Sequence, residues 1–149
     1  MKKLIERKNL TENLKTAAIY NHFEILINLL EKRELPNEIV DFINNEIEHL
    51  NSTSETNKDF EKTIKVKENN ILKLLVKNLK VVPKNYYRKL WLGQGISIIG
   101  LPIGLTIGLI TRNMGLLAAG IPIGMGIGVT IGSRLDKKAF IEGRQLDLE

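Results

Sequence analysis

Few side chains in this sequence could do acid–base or metal chemistry. His22 and His49 are the only histidines, and there is no cysteine. An imidazole can bind a metal or transfer a proton near neutral pH, but either role needs partner side chains close by. His22 lies beside the apolar stripe of a predicted helix, and His49 follows the acidic Glu46 and Glu48. We interpret both as surface or boundary residues and predict no catalytic residue, metal site or cofactor.

Other chemical motifs are also missing. Gly93-Gln94-Gly95 has glycines like those of a phosphate-binding loop, but it lacks the strand, helix and lysine that such a loop requires. We find no paired carboxylates and no nucleophile motif in the sequence. We therefore expect a protein that is not an enzyme.

The chain divides into a charged half and an apolar half. Residues 90–132 hold eleven of the twelve glycines and one charged residue, Arg112, whereas the formal charge is −7 over residues 9–61 and +8 over residues 62–89. The pattern predicts an all-α protein in four parts. These are a cytosolic helical hairpin (1–56), a basic amphipathic juxtamembrane helix (57–89), a transmembrane hairpin (90–133) and a cytosolic tail (134–149).

Two helices are predicted in the first part. Thr11 can cap the first helix, in which apolar residues recur at spacings of three and four up to Leu30. Pro36 ends this pattern, and a second amphipathic helix restarts near Asn37. The short connection favours an antiparallel pair. The positive first eight residues precede no apolar core, so we expect no cleavable signal peptide.

A third helical pattern runs from about Asn57 to Val82, with an apolar stripe on one face and seven lysines on the other. Two compatible interpretations stay open. The stripe can pack on the first two helices, or the helix can lie on anionic lipid headgroups. Aromatic residues do not interleave with the lysines, so nucleic acid is not predicted as a partner.

The apolar half contains two runs of membrane-spanning length. Leu90 to Ile110 is 21 residues and Gly115 to Ile131 is 17, against about 20 needed to cross the hydrocarbon. Basic residues flank both runs, whereas the loop between them carries only Arg112, so the positive-inside rule predicts that both termini are cytoplasmic. Five residues near the start of the first run are expected to anchor it at the headgroup level: Tyr86, Tyr87, Arg88, Lys89 and Trp91.

The two runs repeat each other at an offset of 20 residues, with six of ten positions identical. Glycine recurs at every fourth position, which leaves a groove where another backbone can approach closely. The predicted helix-packing glycines are Gly100, Gly104, Gly108, Gly120, Gly124, Gly128 and Gly132. Pro102 and Pro122 occupy matching places and are predicted to kink both helices.

The segment from Gly124 to Leu146 adds a family resemblance. With Asp136-Lys137-Lys138 and Glu142-Gly143-Arg144 in its second half, it is similar to small bacterial two-span membrane proteins of the glycine-zipper type. The similarity covers about residues 88–149 and implies two spans and self-association, with no substrate. It also suggests the bacterial inner membrane as the location.

Two functions agree with these features. The first is a self-associating membrane anchor or scaffold that presents its cytosolic helices to an unidentified protein partner, through the acidic surface of residues 31–48. The alternative is an oligomeric pore or membrane-perturbing effector, with Gln94, Thr106, Thr130 and glycine backbone as the lining. Neither run contains an ionisable residue, so an active transporter is not expected.

Overall fold

A computed structural model describes residues 1–7, 14–54 and 59–148. These residues are mostly helical and form two compact units, one of residues 1–81 with 146–148 and one of residues 82–145. Thr11, the predicted helix cap, lies outside the described residues. Two of the helices are long and apolar enough to cross a membrane.

The described part of the first unit contains α1 (Leu14–Glu31), α2 (Asn37–Ser52) and α3 (Phe60–Leu79). Pro36 separates α1 from α2, because a proline has no N–H to donate and disfavours helical geometry in the residue before it. The Pro36 carbonyl accepts hydrogen bonds from the backbone N–H groups of Ile39 and Val40, at 3.0 and 3.1 Å. Proline thereby ends one helical pattern and begins the next.

The basic helix α3 contacts both α1 and α2. Its apolar stripe is buried in one core with the apolar faces of the other two helices: Phe60, Ile64, Ile71 and Leu75 with Phe23, Leu26, Leu30, Ile43, Ile47 and Leu50. On the same helix, Lys67 Nζ lies 2.7 Å from Glu46 Oε2. Residues 60–79 are therefore part of the first unit, as one of the two interpretations expects.

Residues outside these helices complete the first unit. The Arg7 guanidinium donates to the carbonyls of Leu50 (2.7 Å) and Thr53 (2.9 Å), and it lies 4.7 Å from the Phe60 ring centroid. A cation there binds carbonyls at the end of α2 and suits the negative end of the helix dipole. Leu146 and Leu148, in the predicted tail, are buried in the same core.

The second unit begins with a short strand and continues with two long helices. Its elements are β1 (Val82–Pro83), α4 (Tyr86–Gln94), a π-helical turn (Gly95–Gly100), α5 (Leu101–Ile110), a 3₁₀-helix (Met114–Ala119) and α6 (Gly120–Ile141), and it ends with the first residue of β2 (Gln145–Leu146). We call Tyr86–Ile110 the first apolar helix and Met114–Ile141 the second apolar helix. They pack antiparallel, with α4 beside α6 and α5 beside the 3₁₀-helix.

The strand pair was not predicted from the sequence. The Val82 N–H donates to the Arg144 carbonyl at 2.9 Å. Val82 precedes Pro83, and a residue before proline favours extended geometry. Strands of two residues carry too little alternation to be recognised in a sequence.

Candidate functional site

Glycines line the contact between the two apolar helices. The buried glycines are Gly95, Gly100, Gly104 and Gly108 on the first helix and Gly120, Gly124, Gly128 and Gly132 on the second. A Cβ atom added to Gly124 would lie 2.6 Å from Gly100 Cα, and one added to Gly132 would lie 2.5 Å from Arg88 Cα. Real Cβ atoms essentially never come within 3.0 Å of such neighbours. The seven predicted packing glycines therefore lie in the contact between two helices of one chain, where Gly108 faces Met114 and Gly132 faces Arg88.

The π-helical turn keeps an eighth glycine on this face. Gly95 and Gly100 are five residues apart, and in a regular α-helix a step of five rotates a side chain by about 140°. The Leu101 N–H donates to the Ile96 carbonyl, which is the i→i−5 bond of a π-helix, and this wider turn absorbs one extra residue. A Cβ at Gly95 would consequently lie 2.8 Å from Gly128 Cα.

Asp136 continues the same face beyond the last glycine. It follows Gly132 by four residues and is 7% exposed. Its Oδ1 accepts a hydrogen bond from the Tyr87 N–H at 3.0 Å, and its Oδ2 accepts one from the Arg88 N–H at 2.9 Å. Asn85, at the N-cap of α4, is left-handed (φ 59°) and makes no side-chain cap. Asp136 therefore caps the first apolar helix from across the interface.

Sequence reasoning missed this role, although one signal was present. Asp136 is the next member of the series with a spacing of four that contains Gly124, Gly128 and Gly132. A carboxylate on that face can accept hydrogen bonds from the N–H groups that the start of the neighbouring helix leaves unpaired.

Both prolines lie at changes of helix type. Pro102 is the second residue of α5, directly after the π-helical turn, and Pro122 is the third residue of α6, directly after the 3₁₀-helix. Proline is best tolerated near the start of an α-helix, where its missing N–H costs least. That they kink the helices stays a prediction.

The outer surface of the two apolar helices is strongly apolar. Ile98, Leu109 and Ile110 are 65%, 59% and 78% exposed, and many other Leu, Ile and Met side chains of both helices are also exposed. The Thr106 hydroxyl donates to the Pro102 carbonyl and the Thr130 hydroxyl to the Gly126 carbonyl, each at 2.8 Å. Such bonds to the preceding turn satisfy hydroxyl groups without water.

The three predicted lining residues lie on this outer surface. Gln94, Thr106 and Thr130 are all exposed. Each threonine follows a buried glycine, Gly104 or Gly128, by two residues, which places it about 200° around its helix from the interface. The structure therefore does not bring these residues together between the two helices of one chain.

The predicted membrane anchors lie at one end of the hairpin, beside the end of α6. Gly132 of α6 packs against the backbone of Arg88, so that an added Cβ would lie 2.5 Å from Arg88 Cα. Arg88 and Lys89 are exposed, Tyr86, Tyr87 and Trp91 are half-buried, and the Tyr86 and Tyr87 rings meet edge to face with centroids 5.2 Å apart.

Just beyond this end, Arg144 forms an ion pair. Its Nε lies 2.7 Å from Glu142 Oε2. The hydrogen bond to Glu142 raises the pKa of Arg144 above its ordinary value, and a smaller contribution comes from Tyr87.

The two histidines of the first unit differ in their surroundings. His22 Nδ1 lies 3.2 Å from Glu68 Oε1 on another helix, whereas His49 is exposed. Glu61 accepts a hydrogen bond from the Thr16 hydroxyl at 2.8 Å and lies 3.0 Å from Lys15 Nζ, and these two interactions lower the pKa of Glu61.

Across the described ranges, no group of three or more His, Cys, Asp or Glu residues could hold a metal ion.

Comparisons with protein-family models, with curated proteins and with solved structures find no match to this chain. A function is therefore inferred from the apolar hairpin and the first unit themselves.

Proposed function

We propose that this chain is a non-catalytic integral membrane protein of the bacterial inner membrane, whose apolar hairpin anchors a helical interaction module in the cytosol. The observation that carries the proposal is the inverted placement of side chains in the second unit. Glycine fills the contact between the helices, and large apolar side chains cover the outside. Apolar surface in water costs about 25 cal/mol per Å², whereas the same surface in hydrocarbon carries no such cost.

The dimensions and polar groups of the hairpin suit a bilayer. The first and second apolar helices have 25 and 28 residues, or about 37 and 42 Å at 1.5 Å per residue, against a hydrocarbon core of about 30 Å. Their ends can therefore reach the headgroup regions. In the loop, Asn113 Oδ1 accepts a hydrogen bond from the Gly115 N–H at 3.0 Å and caps the 3₁₀-helix.

The orientation follows from the positions of the basic residues. Those before the first apolar helix and those at the end of the second come to the same end of an antiparallel hairpin, and Arg112 is at the other end. By the positive-inside rule we assign the basic end to the cytoplasm and the Arg112 loop to the outside.

The first unit is the proposed interaction module. Glu34 is exposed in the connection between α1 and α2, and Glu38 and Asp41 are exposed in the first two turns of α2. Glu46 instead binds Lys67 and Asn70 inside the unit. The exposed carboxylates favour a protein partner with a basic surface.

We also propose that copies of the chain associate, but not through the glycine series that the sequence suggests for this contact. Because the inner glycines are occupied within the chain, copies would meet at outer faces, where Gly126 has no atom within 4 Å of a Cβ added to it. Small residues allow such close approach in lipid. The hydroxyls of Thr106 and Thr130 are bonded within their own helices, so we do not extend the proposal to a pore.

Extraction and labelling test the proposal. The chain has no cysteine, so Arg112→Cys and Lys73→Cys each introduce a single thiol. In bacterial cells, Arg112→Cys should react with a membrane-impermeant maleimide from outside, and Lys73→Cys only after the inner membrane is permeabilised. The protein should stay in the membrane pellet in alkaline carbonate. Release by carbonate, or labelling of both thiols from the same side, would overturn the proposal.

A further inference from the structure

We propose that the basic end of the hairpin binds anionic phospholipid headgroups through a surface formed jointly by both apolar helices; this inference rests on the proposed membrane hairpin. Four exposed cations make up the surface, which we call the basic collar: Arg88, Lys89, Arg134 and Lys137.

Packing between the helices assembles the collar. Arg88 and Lys89 lie in the first turn of α4, and Arg134 and Lys137 lie in α6 on either side of Asp136. The hydrogen bonds that Asp136 accepts from the Tyr87 and Arg88 N–H groups place the segments that carry the two pairs of cations at the same level. Neither helix alone presents this set.

Carboxylates within residues 82–145 do not neutralise the collar. This segment has eight basic residues and two acidic ones, Asp136 and Glu142. Asp136 is buried and directs its oxygens to backbone N–H groups, while Glu142 pairs with Arg144 and lies 3.9 Å from Lys138 Nζ. Among the described residues 82–145, no carboxylate therefore takes up the charge of the collar, which can attract anions.

The position of the collar identifies those anions. Leu90 and Leu92 are 42% and 36% exposed, so the apolar surface begins directly beside Lys89. Tyr86, Tyr87 and Trp91, which have amphipathic side chains, lie at the same level. A ligand that satisfies this arrangement carries its phosphate at the edge of hydrocarbon, as a phospholipid does. Basic residues near such a surface are attracted to anionic lipid.

Trp91 is the only tryptophan and lies about one turn from Arg88, so its fluorescence reports on the lipid at the collar. The full chain is reconstituted into vesicles of phosphatidylcholine and phosphatidylglycerol. In one preparation the phosphatidylglycerol is brominated on its acyl chains close to the headgroup, and in the other the phosphatidylcholine is brominated at the same position. Brominated phosphatidylglycerol should quench Trp91 more strongly than brominated phosphatidylcholine at equal mole fraction. The quadruple variant Arg88→Gln, Lys89→Gln, Arg134→Gln and Lys137→Gln should lower this preference on the order of tenfold or more.

A matched control removes the same charge elsewhere. Lys62→Gln, Lys65→Gln, Lys73→Gln and Lys77→Gln neutralise four exposed lysines of α3 and should leave the preference unchanged. The double variant Lys89→Gln and Lys137→Gln, at two exposed side chains, should show a partial loss and serves if the quadruple variant does not fold.

Each alternative result has a distinct meaning. Equal quenching by the two lipids in the wild type, or equal losses in the two quadruple variants, would overturn the collar. Loss of the preference when inorganic phosphate is added at constant ionic strength would show that free phosphate is the ligand, and would overturn the lipid assignment. If no brominated lipid quenches Trp91, the proposed membrane hairpin itself fails.

Discussion

The backbone N–H of Arg88 donates to Oδ2 of Asp136 at 2.9 Å, although the two residues are 48 positions apart in the sequence. The bond joins the start of the first apolar helix to the last third of the second. Together with the bond from the Tyr87 N–H, it satisfies two N–H groups at the positive end of a helix dipole. It therefore joins the two helices in the register in which their glycine faces meet.

Removal of the Asp136 carboxylate should destabilise the hairpin. We expect Asp136→Ala to lower the free energy of unfolding by about 1–2 kcal/mol, the usual cost of losing a helix cap. Asp136→Asn keeps an acceptor oxygen but loses the charge, so its effect should be smaller. Denaturant unfolding in detergent micelles, followed by Trp91 fluorescence, measures both. Lys137→Ala, at an exposed neighbouring residue, is the control, and equal stabilities of Asp136→Ala and Lys137→Ala would contradict the assigned cap.

Two glycines of α6 provide a matched pair. Gly124→Ala places a methyl group 2.6 Å from Gly100 Cα, so the helices must separate, and we expect a loss of about 1–3 kcal/mol. Gly126→Ala enters space that is open within the chain, so in the monomeric hairpin it should be neutral or stabilising by up to about 1 kcal/mol, because alanine favours the helix. Thermal unfolding in micelles compares the two. A similar midpoint for both variants would contradict the close contact between Gly124 and Gly100.

Deletion of one residue tests the π-helical turn. Removing exposed Ile98 reduces the step from Gly95 to Gly100 to four residues, so a regular α-helix can keep both glycines buried and the hairpin should remain folded. Removing exposed Leu105 shortens the step from Gly104 to Gly108 and should disrupt the interface. Circular dichroism and thermal unfolding measure each deletion. Equal damage from both would show that the extra residue has a different purpose.

Self-association through the outer faces should depend on Gly126. Gly126→Leu adds bulk away from the helix interface, so we expect it to dissociate the oligomer while the hairpin stays folded. Light scattering in detergent gives the mass of the protein component, and circular dichroism checks the fold. Ile127→Leu changes shape without adding volume at another exposed position and is the control. An unchanged oligomer in Gly126→Leu would locate the contact elsewhere.

The interaction between Thr16 and Glu61 should appear in the acid dependence of stability. The pKa of Glu61 is lowered in the folded protein, first by the Thr16 hydroxyl and then by Lys15. A lowered pKa stabilises the fold at pH values above the ordinary pKa of 4.5, and this contribution is lost as the pH falls through the lower, folded-state pKa. Thr16→Val should therefore be less stable at neutral pH and lose less stability on acidification.

Thr63→Val is the control for that comparison. Its hydroxyl donates to the Asp59 carbonyl and does not touch a carboxylate, so its stability should follow the same pH curve as the wild type. Unfolding midpoints measured from pH 7 down through the acid range provide the data. Parallel curves for Thr16→Val and the wild type would contradict the role of Thr16.

Much of the fold could be predicted because its causes are local. Pro36 separates two helices through its missing N–H, and the apolar stripe of α3 shows which face is buried. The two apolar helices are recognisable from length and composition. The π-helical turn has only an indirect local sign, the spacing of five between Gly95 and Gly100.

The sequence by itself determined which helix faces permit close approach, since a glycine at every fourth residue leaves that face without side chains. Only the tertiary structure decided that the two faces meet each other within one chain, because a periodic pattern describes one helix and does not specify whose backbone approaches it. The same limit applies to Asp136 and to Leu146 and Leu148. Their partners are distant in the sequence, and only packing brings a hydrogen-bond donor or an apolar core to them.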